Sequence, residues 1–85
     1  MAAPDSALQP GIEKTPGICG GDARIAGTRI PVWLLVAFRD EGMTDAELLQ
    51  NYPSLSVEDL THAWKYATVH SQEIAAAIRA NGNKD

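Results

Sequence analysis

The sequence has few of the residues that form cross-links or bind metal ions. Cys19 is the only cysteine among 85 residues, so no disulfide can form within the chain. One cysteine and two distant histidines, His62 and His70, do not make the ligand set of a zinc site. The sequence therefore predicts a protein without a bound metal, and nothing in it indicates a cofactor.

Long apolar runs are also missing. The longest continuous run is Val32–Phe38, far below the roughly 20 residues of a membrane-spanning helix. No secretory leader pattern is present, and a single free thiol suits a reducing compartment, so we expect a cytoplasmic protein. A chain this short buries a limited share of its surface. Without disulfides or metal, we expect it to gain stability as a homodimer.

Positive charge is scarce as well. Seven Lys and Arg residues stand against eleven Asp and Glu residues, which gives a net charge of −4. Broad, non-specific nucleic-acid binding depends on a positive field and is therefore disfavoured. Between Asp40 and Trp64 the sequence contains no Lys or Arg at all. Any basic patch has to come from elsewhere, above all from Arg24, Arg29 and Arg39.

The domain boundaries follow from composition. Residues 1–10 lack periodicity and predict a flexible N-terminal arm. Residues 11–80 predict one domain, and residues 81–85 follow it as a C-terminal tail.

The region before Pro31 predicts turns and two or three very short strands. Glycine- and proline-containing pairs give the turns. Brief polar and apolar alternation around Ile25 and Ile30 gives the strands. With these isoleucines facing inward, Arg24 and Arg29 are expected to point outward.

The region after Pro31 predicts helices, so the expected fold is mainly α. We expect a three- to four-helix, helix-turn-helix-like domain with a short N-terminal β-segment. The third helix carries apolar residues at alternating steps of three and four, with a bend or break expected around Thr68–Ser71. The first helix is expected over about Val32–Glu41, with Gly42 ending it. The second is expected over about Asp45–Asn51 and begins with a capping box of Thr44 and Glu47. The last is expected from Ser56 to near Asn81–Gly82.

The first of these helices is apolar on every side. A surface helix shows an apolar stripe instead, so this helix is expected to be buried all round, by its own chain or by a partner. The residues assigned to the core or the dimer seam are Val32, Trp33, Leu35, Val36 and Phe38, with Trp64 from the last helix.

Two interpretations concern nucleic acid. A helix-turn-helix protein inserts the start of its third helix into the major groove, but Glu58 and Asp59 would repel phosphates there. A β-ribbon can instead read bases with arginine, which favours Arg24 and Arg29. The alternatives are a three-helix core that only resembles a DNA reader, and surface arginines that hold a loop.

Signs of catalysis are weak. No paired carboxylates and no nucleophile–base pair stand out in the sequence. Cys19 has no evident base or acid partner and is interpreted as a small buried residue. Gly17, Gly20 and Gly21 are too few for a phosphate-binding loop and are not followed by a helix. An enzyme is therefore not expected.

One series of short blocks is more distinctive than composition or periodicity. The blocks are Gly17–Gly21, Arg24–Val32, Gly42–Thr44, Tyr52–Ser56, Asp59–Leu60 and Ala63–Ala67. In this order, and over roughly residues 12–70, they resemble the signature of the small prokaryotic family called domain of unknown function 433.

This resemblance implies a short β-segment followed by a homeodomain-like or winged-type helical domain. Family members are similar to VapB-like antitoxins of type II toxin–antitoxin pairs, which are commonly encoded beside a PIN-like ribonuclease toxin. An antitoxin of this kind binds its toxin and represses its own operon.

The expected function is therefore an antitoxin that binds a PIN-like toxin and, as a dimer, its operator DNA. Arg24, Thr28 and Arg29 are the candidate DNA contacts, with a phosphate contact from Lys65. The last helix from Ile74 onward, including Ile78, is expected to face the toxin. The alternative is a dimeric protein-interaction module that does not bind DNA.

Overall fold

The computed structural model describes residues 10–82, which form helices and a very small sheet. The mainly α fold with a short N-terminal β-segment is confirmed. The predicted arm lies outside the described residues except for Pro10, and so do residues 83–85 of the predicted tail. The elements are β1 (Ile12–Glu13), β2 (Arg24–Ile25), α1 (Val32–Asp40), α2 (Asp45–Asn51), α3 (Val57–Val69) and α4 (Ser71–Gly82).

The two strands pair in antiparallel fashion, with Ile12 opposite Ile25 and Glu13 opposite Arg24. A tight turn then returns the chain towards α1. The Thr28 hydroxyl closes this turn, because it donates to the Ile25 carbonyl at 2.8 Å and accepts from the Ile30 amide at 3.0 Å.

Local signals set the helix boundaries as predicted. Thr44 caps α2 in a full capping box with Glu47. Gly42, at a φ of +104°, ends the α1 turn in the left-handed conformation that favours glycine. The last helix ends where expected, because α4 includes Asn81 and ends at Gly82.

The predicted break in the last helix is also present. α3 ends at Val69, and His70 leaves the helical conformation with a φ of −118° and a ψ of 46°. The His70 amide still donates to the Tyr66 carbonyl at 2.8 Å. The helical chain resumes at Ser71, which lets α4 fold back against α1 and α3.

The core lies where α1, α3 and α4 meet the strands. Tyr66 and Ala63 are fully buried, although the predicted apolar stripe ran through Trp64, which is half-buried. The expectation that α1 is buried all round does not hold within one chain, since Trp33 and Phe38 stay half-buried. The buried apolar residues are Ile12, Ala23, Ile25, Val32, Leu35, Val36, Leu48, Leu55, Leu60, Ala63, Tyr66, Ala67 and Ile74.

A polar connection joins the buried Tyr66 to α4. Its hydroxyl donates to the Glu73 carboxylate, with the two oxygens at 2.8 and 2.9 Å. Lys14 approaches the same carboxylate at 3.0 Å. Burial, followed by the hydrogen bond and the negative charge of Glu73, raises the pKa of Tyr66 above its ordinary value.

Gly11 packs its backbone against the His62 ring, which gives a first test of the fold. An alanine Cβ at Gly11 would lie 2.7 Å from His62 Cγ, whereas Gly27 has open space around it. Both glycines have positive φ, so both alanine variants carry the left-handed penalty of about 1–2 kcal/mol. We expect Gly11→Ala to lower the free energy of unfolding by about 1–3 kcal/mol more than Gly27→Ala, measured in urea. Equal losses would contradict this packing.

The buried phenol predicts an alkaline loss of stability. The unfolded chain releases the Tyr66 proton near pH 10, before the folded chain does, so the stability from this group is complete below pH 10 and declines above it. Unfolding in urea between about pH 8 and 11 should show a shallower decline for Tyr66→Phe than for wild type. Identical slopes for Tyr66→Phe and wild type would be the contrary result.

Candidate partner-binding surfaces

Arg24 is a buried cation, so the prediction that its side chain points outward is wrong. Only 6% of the residue is exposed. Its guanidinium donates to the Thr28 carbonyl at 3.0 Å, to Thr15 Oγ1 at 3.1 Å and to Glu13 Oε1 at 2.8 Å. Ile25 does face the core, as alternation requires. The opposite face of the strand is covered by the chain's own loops, and Arg24 serves there as a structural group.

The other predicted DNA contacts differ in their availability. The Thr28 hydroxyl is engaged within its own turn. Arg29 is exposed, and its carbonyl accepts from the half-buried Cys19 thiol at 3.1 Å. Lys65 is exposed on α3. Of the four candidates, Arg29 and Lys65 therefore present charged side chains to solvent.

Trp64 forms a surface cluster with charged neighbours from two other helices. The Arg39 guanidinium lies 4.1 Å from its ring centroid, a cation–π arrangement. The indole N–H points to the Asp45 carboxylate, whose oxygens lie at 3.3 and 3.4 Å. This cluster ties α1, α2 and α3 together at the surface.

The residues predicted to face a toxin lie deeper than expected. Ile74 is 4% exposed and belongs to the core, so its side chain is not available to a partner. It is buried because α4 folds back on α1 and α3. Ile78 is half-buried in an open groove of about 250 Å³ between α1, α3 and α4. Arg39 and Asp40 both line this groove, so charges of opposite sign stand on it.

A second cleft lies between α1 and α2, and nothing in the sequence pattern had indicated it. Its volume is about 370 Å³, and its lining residues are Phe38, Met43, Asn51 and Tyr52. The Phe38 and Tyr52 rings are 6.4 Å apart at 35° to each other. Asn51 reaches across to the Met43 sulfur at 3.8 Å. The cleft is thus formed by the last turn of each helix and the Gly42 turn.

Comparison with known proteins decides the family. A family model described as protein of unknown function, DUF433, matches residues 12–67. This chain belongs to the DUF433 family. A crystal structure of a DUF433 member protein from Anabaena variabilis ATCC 29413 is 53% identical, with a TM-score of 0.80. The similarity covers 86% of this chain and 72% of that one, whereas no curated protein matches.

The family membership confirms the resemblance but carries no activity. The antitoxin and helix-turn-helix interpretations of this DUF433 chain therefore stay predictions. Within the described residues, no group of three His, Cys, Asp or Glu side chains could hold a metal ion. None of the helices described is long and apolar enough to cross a membrane.

The surface around α2 of this DUF433 domain is acidic. The carboxylates of Glu47 and Asp59 complete capping boxes. They also add negative charge at the starts of α2 and α3. Over residues 10–82, none of the exposed acids has a Lys, Arg or His nitrogen within the 4.0 Å of an ion pair. The exposed acids of this surface are Glu41, Asp45 and Glu47, with Glu58 at the start of α3. Asp40 is also exposed, but it lines the groove between α1, α3 and α4.

The contrast between Arg24 and Arg29 gives a direct test of their different roles. Arg24→Met removes three hydrogen bonds to a buried cation and leaves the Thr28 carbonyl without this donor. We expect the free energy of unfolding to fall by about 3 kcal/mol. Arg29→Met changes an exposed side chain and should stay within about 0.5 kcal/mol of wild type. Urea unfolding measures both, and equal losses would contradict the structural role of Arg24.

Proposed function

We propose that this chain is a non-enzymatic, antitoxin-type protein that binds a PIN-like ribonuclease toxin. The acidic surface around α2 is the observation that supports the proposal most. A ribonuclease needs positive charge where it approaches RNA. An acidic protein surface complements such a site and also repels competing nucleic acid.

We also propose a homodimer. Trp33 on α1 remains half-buried although it is large and apolar. Such a side chain is a frequent anchor of protein interfaces. It gives α1 apolar surface, apart from the α1–α2 cleft, that a second copy can cover.

Operator binding is the second half of the antitoxin proposal. It is supported by two of the four predicted DNA contacts. Arg29 and Lys65 are the exposed candidates, and a dimer would double them. Two observations favour the alternative of a protein-interaction module without DNA binding. Arg24 is committed to internal hydrogen bonds, and the exposed Glu58 stands at the start of α3.

Co-expression with the product of the adjacent gene tests the toxin half. We expect the two proteins to co-purify and the complex to have lower ribonuclease activity than the neighbour alone. An excess of an unrelated acidic protein is the control for charge alone. Failure of the two proteins to associate would contradict the antitoxin proposal.

A gel shift on the gene's own upstream DNA, with and without the neighbour, tests the operator half. If DNA is bound, Arg29→Ala should weaken binding more than Lys65→Ala, because Arg29 can make a bidentate base contact. Equal or reversed effects would favour α3 as the reading element. No shift under either condition would favour the alternative function.

A further inference from the structure

The cleft between α1 and α2 has an apolar lining that is suited to one or two inserted side chains. Phe38, Met43 and Tyr52 are half-buried in the free chain, so they present apolar surface without losing their place in the fold. Methionine adapts its shape easily and is common at protein-binding surfaces. The cleft therefore suits a leucine, methionine or phenylalanine side chain from outside.

The two exposed charged residues that lie nearest to this cleft along α2 and the turn before it are both acidic. Glu41 is exposed, follows α1 directly and precedes Met43 by two residues. Glu47 is exposed one helical turn before Asn51, on the same face of α2. Arg39, the cation directly before this stretch, lies over the Trp64 ring. The sequence from Asp40 to Trp64 contains no Lys or Arg. An apolar anchor flanked by lysine or arginine is complementary to this arrangement.

We infer that the α1–α2 cleft is the docking site for a basic, amphipathic segment of the partner protein. The segment inserts an apolar side chain between Phe38, Met43 and Tyr52, and its cationic side chains face Glu41 and Glu47. The identification of the partner as the toxin rests on the proposed function.

The groove between α1, α3 and α4 is less suited to the same occupant. Its charged lining residues, Arg39 and Asp40, have opposite signs. It therefore offers no net charge that would select a basic segment. Asp40 and Glu41 are adjacent and carry the same charge, yet Asp40 lines this groove, whereas Glu41 begins the turn that leads from α1 to Met43 in the α1–α2 cleft. This pair provides a matched control.

A peptide titration tests the cleft without the toxin. The chain has two methionines, Met1 and Met43, so methyl labelling gives two resonances, which a Met43→Leu variant assigns. The probes are a synthetic amphipathic helix of leucine and lysine and the same pattern with glutamate for lysine. We expect the Met43 methyl resonance to shift with the lysine peptide and to stay with the glutamate peptide. No shift with the lysine peptide, or equal shifts with both, would overturn the inference.

The matched charge reversals test the same cleft in the full complex. We expect Glu41→Lys to weaken binding of the adjacent-gene product and of the lysine peptide about tenfold, and Asp40→Lys to change either by less than about twofold. Equal losses, or a larger loss for Asp40→Lys, would overturn the assignment. Urea unfolding of both variants checks that neither has lost the fold.

The two proposals fail in different ways. If wild type does not bind the adjacent-gene product but shifts Met43 with the lysine peptide, the toxin assignment fails and the docking site holds. If wild type binds the product while Glu41→Lys behaves like Asp40→Lys, the docking site fails and the antitoxin proposal holds.

Discussion

The buried guanidinium of Arg24 holds together a segment that has almost no regular structure of its own. Two strands of two residues each cannot stabilise a fold in water. Arg24 joins Glu13, Thr15 and the Thr28 carbonyl around one planar group. A buried charge is tolerated only when it is paired and hydrogen-bonded. Arg24 therefore depends on these three partners for its burial, and the partners depend on Arg24 for their positions. The net result is a fixed platform beneath the helices.

That platform positions α1, and α1 in turn shapes both surface depressions. The Val32 amide donates to the Ala23 carbonyl at 2.9 Å, so the first turn of α1 is attached to the residue before Arg24. From there α1 packs Val32, Leu35 and Val36 into the core. Phe38 lines the cleft towards α2, and Arg39 and Asp40 line the groove towards α4. The same helix that completes the core therefore provides the surface on which a partner could dock.

What could be predicted from sequence was local. The capping box of Thr44 and Glu47, the Gly42 turn and the break after Val69 depend on residues within a few positions of each other. Two errors came from contacts between distant segments. The chain that covers Arg24 lies up to eleven residues away, and its outward direction had been inferred from strand alternation alone. Ile74 is buried because α4 folds back, which periodicity along one helix cannot show.

The candidate site was the least predictable part. Trp64 is predicted for the core or the dimer seam, and within the chain it is half-buried. Tyr66 occupies the core instead, where Glu73 on α4 accepts from its hydroxyl. The α1–α2 cleft depends on the angle between two helix ends, and no motif records that angle. The acidity around it was visible in the sequence, since the stretch from Asp40 to Trp64 lacks Lys and Arg. That these acidic residues stand close to an apolar cleft could be seen only in the structure.

Amide hydrogen exchange of the chain, alone and in complex with the adjacent-gene product, tests the central claim most directly. The claim is that the Arg24 region is internal structure and that the α1–α2 surface binds the partner. Binding should slow exchange in residues 38–52 and leave residues 24–31 unchanged. New protection confined to residues 24–31, or to α4, would contradict it.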